Sequence, residues 1–207
     1  MAGDTFVLPT SSTQRRLWML DRLTPNSPEY NIVWAVRLTG PLRVAALESA
    51  LTWLVGRHEA LRTTFTAVDG EPAQVVGEPW PVRLPVTEVP ADAARRLLDE
   101  EGRAPFDLAT GPLLRARLLR LSAEEHLLIL VVHHIVADGW SFGVLFPELA
   151  HAYAAAVAGT EPELPPPPIQ YADFAVWQRE RAESGGDAPA LEFWRDALAG
   201  APTLLDL

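Results

Sequence analysis

His133-His134-Ile135-Val136-Ala137-Asp138-Gly139 decides how this sequence is read, because of what stands on either side of it. Before it runs His126-Leu127-Leu128-Ile129-Leu130-Val131-Val132, a continuous apolar stretch that suits a strand covered on both faces. After it, Trp140 to Ala158 reads as a helix. A buried strand that ends in two histidines and passes through Asp-Gly into a helix places imidazoles at the carboxyl edge of a sheet, where open-sheet enzymes bind their substrates. An imidazole titrates near neutrality, so it can accept or donate a proton, or hydrogen-bond a developing charge, at little cost. These parts fit acyl transfer.

Working outward, strand and helix signals alternate, which predicts a mixed α/β layer architecture. Upstream, the short apolar stretch Phe6 to Leu8 precedes a helix over Ser12 to Arg22, capped by Ser11 or Ser12, with Leu17, Met19, Leu20 and Leu23 as its buried stripe and Pro25 as its stop. Asn31 to Leu38 is a strand closed by Gly40-Pro41. Val44, Leu47, Leu51, Leu54 and Val55 recur at helical spacing and bury one face of a helix that ends at Arg57. A hairpin is expected from Leu61 to Val68, turning at Asp69-Gly70 into Ala73 to Val76, with a further strand at Val82 to Val86. Ala91 to Gly102 is helical by composition, and Leu113 to Leu121 alternates as a half-buried strand does.

The expected domain layout is a lobe over residues 1–161, a stiff proline-rich connector over 162–170 centred on Pro165 to Pro168, and a helical crossover over 171–207. The crossover divides into helices Tyr171 to Glu183 and Ala190 to Ala199. No internal repeat is visible, and the end, Leu204-Leu205-Asp206-Leu207, reads as a fragment boundary.

Composition narrows the function classes. With 207 residues and 48% apolar side chains, the chain can bury a sizeable core. Its 27 acidic against 17 basic residues leave a charge of -10, which repels phosphate backbones, so no nucleic-acid partner is expected. The absence of cysteine excludes disulfides, thiolate metal sites and cysteine nucleophiles and permits a reducing compartment. No basic region precedes an apolar stretch at the start, and no window approaches 18 uninterrupted apolar residues; a cytoplasmic chain without a membrane partner is expected.

His133, His134 and Asp138 make a poor metal site, since adjacent strand histidines face opposite ways and no further His or Cys cluster completes a shell. Ser141 is the nearest serine, but no G-x-S-x-G turn occurs anywhere, which disfavours a covalent serine mechanism and favours direct transfer between two bound substrates.

His133-His134-Ile135-Val136-Ala137-Asp138-Gly139-Trp140-Ser141 resembles the HHxxxDG signature of non-ribosomal peptide synthetase condensation domains. Three further stretches resemble that family in its order: Ser12-Thr13-Gln14-Arg15-Arg16-Leu17-Trp18-Met19-Leu20, Arg57-His58-Glu59-Ala60-Leu61-Arg62-Thr63-Thr64-Phe65, and Tyr171-Ala172-Asp173-Phe174-Ala175-Val176-Trp177-Gln178. Pro105-Phe106-Asp107-Leu108 and Gly111-Pro112-Leu113-Leu114-Arg115 resemble its L-to-L members. Epimerisation domains usually differ after Asp-Gly, and heterocyclisation domains carry aspartates in place of the histidines.

The resemblance implies a chloramphenicol-acetyltransferase-like fold, of which this chain would be the first of two lobes, and amide formation between aminoacyl or peptidyl thioesters held on the phosphopantetheine arms of donor and acceptor carrier proteins. No cofactor would bind directly. His134 would be the catalytic residue, as base or as a hydrogen-bonding group that orients the amine and stabilises the tetrahedral intermediate. His133 and Gly139 would shape the loop, Asp138 would pair with Arg62, and Trp140 and Ser141 would border the substrate tunnel. Trp18, Tyr171, Asp173 and Trp177 are expected in packing roles, and His58 and Glu59 as a helix end.

Without the second lobe the isolated chain is expected to form no peptide bond at an appreciable rate and to expose an apolar face. A non-catalytic docking module for carrier proteins with the same fold, and an acyltransferase using acyl-coenzyme A, are the competing readings.

Overall fold

The computed structural model describes residues 6–90, 92–202 and 204. Seven strands and six helices follow one another as β1 (Phe6–Pro9), α1 (Ser12–Leu23), β2 (Asn31–Thr39), α2 (Val44–Arg57), β3 (Thr63–Val68), β4 (Glu71–Val76), β5 (Val86–Glu88), α3 (Ala94–Arg103), β6 (Leu114–Arg120), β7 (Glu125–His133), α4 (Ser141–Ala158), α5 (Tyr171–Glu183) and α6 (Ala188–Ala197). They make an antiparallel three-stranded sheet, β1-β4-β3, and a four-stranded mixed sheet, β2-β7-β6-β5, in which only the β5–β6 pair is parallel. The α/β class with helices flanking a mixed sheet is as expected.

β7 is the axis of the molecule. It pairs with β2 on one side, Asn31 opposite His133, and with β6 on the other, Leu114 opposite Val132. Its side chains alternate between two separate cores. Leu128, Leu130 and Val132 join Leu47, Leu51, Leu54 and Val55 of α2 and Phe142 and Leu149 of α4. Ile129 and Val131 join Leu17, Phe65, Phe106 and Leu113 on the opposite face. A strand buried on both faces has no polar alternation to show, which is why the run from His126 to Val132 is uniformly apolar.

The structure departs from the sequence expectations at several points. The segment Glu59–Arg62 forms a 3-10 turn, so β3 begins at Thr63 instead of Leu61. The strand expected at Val82 to Val86 starts at Val86; Pro81 and Pro85 lack the amide protons a ladder needs, and Val82 and Leu84 are instead buried from an irregular segment. α1 buries Leu17 and the polar Gln14, while Met19 and Leu23 are exposed. Its cap is Ser11, whose side chain accepts from the Gln14 amide while Gln14 returns the bond to the Ser11 amide. α3 starts at Ala94, and the predicted start at Ala91 lies outside the described residues. The Leu205 to Leu207 end lies outside them too.

α4 carries 18 residues at mean hydropathy 1.2 and is, among the described residues, the one helix long and apolar enough to cross a membrane, an outcome the uninterrupted-run criterion misses. It holds Glu148 in an ion pair and packs Phe142, Leu149 and Ala152 into the α2 core. From Gly159 to Gln170 the chain has no helix or strand, and α5 then docks on β1, α1 and the 3-10 turn. α6 buries none of its residues, and Leu191, Phe193 and Trp194 on it and Leu198 just after it are exposed.

Candidate functional site

The two histidines part at the end of β7. His133 continues the alternation of Ile129 and Val131 and is 3% exposed, whereas His134, one residue further, is exposed. The His133 ring sits edge-on to Phe106 at 6.1 Å and tilted to Tyr30 at 6.3 Å between centroids. Its Nδ1 accepts the Ile135 amide at 3.1 Å, so Nε2 carries the ring proton. Burial, reinforced by the adjacent His134, pushes the pKa of His133 down from 6.5 to about 4, and the ring is neutral at physiological pH. A buried neutral imidazole that spends its lone pair on a backbone amide shapes a turn and has no lone pair left with which to act as a base; only its Nε2 proton remains.

His134 is built the opposite way. Its amide donates to the Tyr30 carbonyl at 2.8 Å, which fixes the backbone, and its Nδ1 lies 3.0 Å from the Ala137 carbonyl oxygen. A carbonyl only accepts, so Nδ1 is the protonated nitrogen, and in the neutral ring Nε2 holds a lone pair. Among the described residues Nε2 makes no hydrogen bond. The loop thus fixes both tautomer and orientation with backbone atoms alone.

Asp138 and Ser141 exchange bonds across the start of α4. Asp138 Oδ1 accepts from the Ser141 hydroxyl at 2.7 Å and from its amide at 2.9 Å, and the Asp138 amide donates to Ser141 Oγ at 3.0 Å. This is the reciprocal arrangement of a capping box. The Ser141 hydroxyl above all, aided by its amide and by His134, holds the Asp138 carboxyl below the usual carboxylate range despite partial burial.

Arg62, the expected partner of Asp138, is elsewhere. It donates to the Gly77 carbonyl and lies 3.4 Å from Glu59. No ion pair joins Arg62 to Asp138 among the described residues, and the carboxylate finds its hydrogen bonds at the helix start three residues on. Ser141, expected at a tunnel, has its hydroxyl committed to this cap. Gly139 has open space around it, and Trp140 is 84% exposed.

A cavity of about 440 Å³ lies behind the loop, bounded by Val136, Ala137, Trp140 and Ser141 on one side and by His58, Leu61, Gln170 and Phe174 on the other; His134 does not line it. Behind its wall, Glu148 receives Arg57 Nε at 3.0 Å and His58 Nε2 at 2.5 Å. His58 ends α2 as expected, its amide donating to the Leu54 carbonyl at 2.9 Å, while its side chain turns to Glu148, and Glu59 lies 3.4 Å from Arg62. No group of acidic or histidine residues among those described is arranged to hold a metal ion.

Some supporting residues were not assigned roles from sequence. Arg115 lies over the Phe106 ring at 3.8 Å and donates to the Glu101, Ala104 and Pro105 carbonyls, stiffening the wall behind His133. Gln14, buried in α1, reaches the Ile135 carbonyl at 3.5 Å. Both stand in the family-like stretches, which was the only signal available for them.

Residues 5–207 match the family model described as Condensation domain. Isonitrile lipopeptide synthase of Mycobacterium tuberculosis is 45% identical over 97% of this chain, which spans 8% of that protein. Phosphinothricin tripeptide synthetase PhsC of Streptomyces viridochromogenes is 44% identical, also over 97% of the chain, here 19% of the relative. Among solved structures, the X-domain from teicoplanin biosynthesis superposes with a TM-score of 0.87 at 37% identity, over 96% of this chain and 45% of that one. The starter condensation domain of rhizomide synthetase RzmA, at 24% identity and a TM-score of 0.85, shares the fold. The chain thus spans a small fraction of its curated relatives and a little under half of the solved domains.

Proposed function

This chain belongs to the condensation-domain family, and from that premise we propose that it is the histidine-bearing half of a domain that forms an amide bond between two carrier-bound aminoacyl or peptidyl thioesters in the cytoplasm. The observation that carries the proposal is His134, exposed at the carboxyl end of β7 with Nδ1 bound to the Ala137 carbonyl, so that Nε2 is free to face a substrate.

In this reading the acceptor's α-amine attacks the donor's thioester carbonyl carbon. The C–N bond forms, the C–S bond breaks, the amine loses a proton and the departing phosphopantetheine thiolate gains one. An α-amine has a pKa of roughly 8, so it needs little help to lose a proton near neutrality. His134 Nε2 accepts a hydrogen bond from the amine and orients its lone pair; carrying the proton, it can hydrogen-bond the tetrahedral oxyanion or return the proton to sulfur.

His133 stays neutral and keeps the loop in register, and the Asp138–Ser141 cap anchors the loop's far end. Donor and acceptor carrier proteins are the partners, their phosphopantetheine arms bring the substrates, and Trp140 borders the approach. Residues 162–170 act as the connector and 171–207 as the crossover to the half of the domain that this chain does not span. That half supplies the opposite wall, so the 207-residue chain alone forms no peptide bond at an appreciable rate.

A second reading is favoured by one observation: a 35%-identical relative in fold, the X-domain, has been solved in complex with OxyB, so this fold also serves as a docking module. The experiment that separates them uses the complete synthetase with loaded carriers. His134→Ala abolishes dipeptide formation while carrier binding persists if this is the enzyme; an unchanged dipeptide yield assigns the chain to docking.

A further inference from the structure

The cavity behind the histidine loop carries chemistry that the proposed reaction does not use. At about 440 Å³ it falls within the roughly 300–1,000 Å³ range of small-molecule sites. Its wall is apolar over Leu61, Val136, Val144, Leu145, Ile169 and Phe174. Such walls need a polar group to orient a ligand, and here that group is His58.

Glu148 accepts from His58 Nε2 at 2.5 Å, so Nε2 carries the ring proton and, in the neutral ring, Nδ1 is an acceptor. Nδ1 has no hydrogen-bond partner among the described residues. Each oxygen of the Glu148 carboxylate already accepts a bond, the other one from Arg57 Nε at 3.0 Å. Gln170, the remaining polar side chain at that end, is also committed: its Oε1 accepts the Glu59 amide and its Nε2 donates to the Arg57 carbonyl. Ser141 is held by Asp138. The Tyr171 hydroxyl is bonded to Ser11 Oγ, and exposed Trp140 offers only an indole N–H donor, so one acceptor remains on an apolar wall.

We infer that this cavity binds a bulky apolar group ending in a single hydrogen-bond donor, a phenol or an indole, with the donor on His58 Nδ1. The neutral ring disfavours a carboxylate, because its acceptor cannot pair with one and Glu148 stands behind. A plain hydrocarbon leaves Nδ1 desolvated and unpaired, which costs binding. Exposed Trp140 and half-exposed Tyr171 form an aromatic rim at the mouth, suited to a planar ring. That the phenol or indole arrives as the side chain of an aminoacyl substrate rests on the amide-forming reading; the site itself does not.

The test is a titration of the 207-residue chain, labelled at the histidine ring nitrogens, with N-acetyl-tyrosinamide, N-acetyl-leucinamide and N-acetyl-glutamine. The tyrosine probe should saturate, shift His58 Nδ1 and leave His134 unmoved, and bind about tenfold more tightly than the leucine probe, the worth of one hydrogen bond. Ile169→Trp, a change on the exposed connector that fills the mouth without touching the core, should abolish the shift. His58→Phe should erase the preference for tyrosine over leucine.

Equal binding of all probes, a shift unaffected by Ile169→Trp, or no saturation at about 10 mM would overturn the inference. So would a complete domain whose His58 resonance already sits at the bound position without probe, since a side chain of its own second half would then fill the cavity. None of these outcomes depends on dipeptide formation, so a failure here is separate from a failure at His134.

Discussion

His133 makes folding stability depend on pH in a window that can be worked out in advance. The unfolded ring titrates at 6.5 and the folded one at about 4. Between those values the unfolded chain binds the extra proton, so stability is full above pH 6.5 and is lost as pH falls toward 4. The complete shift corresponds to about 3 kcal/mol, most of which falls between about pH 7 and pH 4.5. With a urea slope of about 2 kcal/mol/M, the unfolding midpoint drops by about 1 M over that range.

Other groups titrate as well, 27 of them acidic, so the measurement is a difference against His133→Asn. The asparagine Oδ1 can take the place of Nδ1 in accepting the Ile135 amide, but it does not titrate. Asp138 does not blur the result: its folded pKa is depressed, so its contribution holds above the ordinary carboxylate pKa and is lost only at more acidic pH than 3.8. Urea midpoints of the two proteins from about pH 7 to pH 4.5 at constant ionic strength should diverge, the wild type falling more steeply. Parallel curves would refute a buried neutral His133.

Further outcomes follow from the same contacts. His134→Ala should change unfolding free energy by less than about 0.5 kcal/mol, since the ring is exposed and its one bond is to a backbone carbonyl; denaturant melts check this. Ser141→Ala removes the hydroxyl from the Asp138 cap and should destabilise the fold by about 1 kcal/mol, read the same way. A double-mutant cycle of Arg62→Ala and Asp138→Asn should give a coupling of no more than about 0.5 kcal/mol, because the two side chains serve different partners; a coupling of about 2 kcal/mol would restore the pair expected from sequence.

What the sequence disclosed, and what it hid, divides along physical lines. β7 and α2 were legible because a doubly covered strand and a one-sided helix each leave a periodic apolar trace. The same periodicity predicted that His133 and His134 would face opposite ways. Met19 and Leu23 misled because apolar residues also stand on faces that nothing in this chain covers. The displaced β5 and the 3-10 turn at Glu59–Arg62 depend on proline and on local hydrogen bonding, which weigh little in a pattern of hydrophobicity.

At the site, the Ala137 and Tyr30 carbonyls that orient His134 are backbone atoms and leave no mark in residue identity. The family resemblance suggested Arg62 for Asp138 and opposite charge agreed with it, but neither speaks of distance, and a hydroxyl three residues away was nearer.

The proposed chemistry depends on a division of labour between the two histidines. Single-turnover amide formation between loaded donor and acceptor carriers, in the complete synthetase at about pH 7.5, tests it most directly. His134→Ala should slow the step by about a hundredfold or more, the usual worth of a positioned acid–base group, while His133→Asn retains most of the rate. Equal losses in both variants, or a loss confined to His133→Asn, would contradict it.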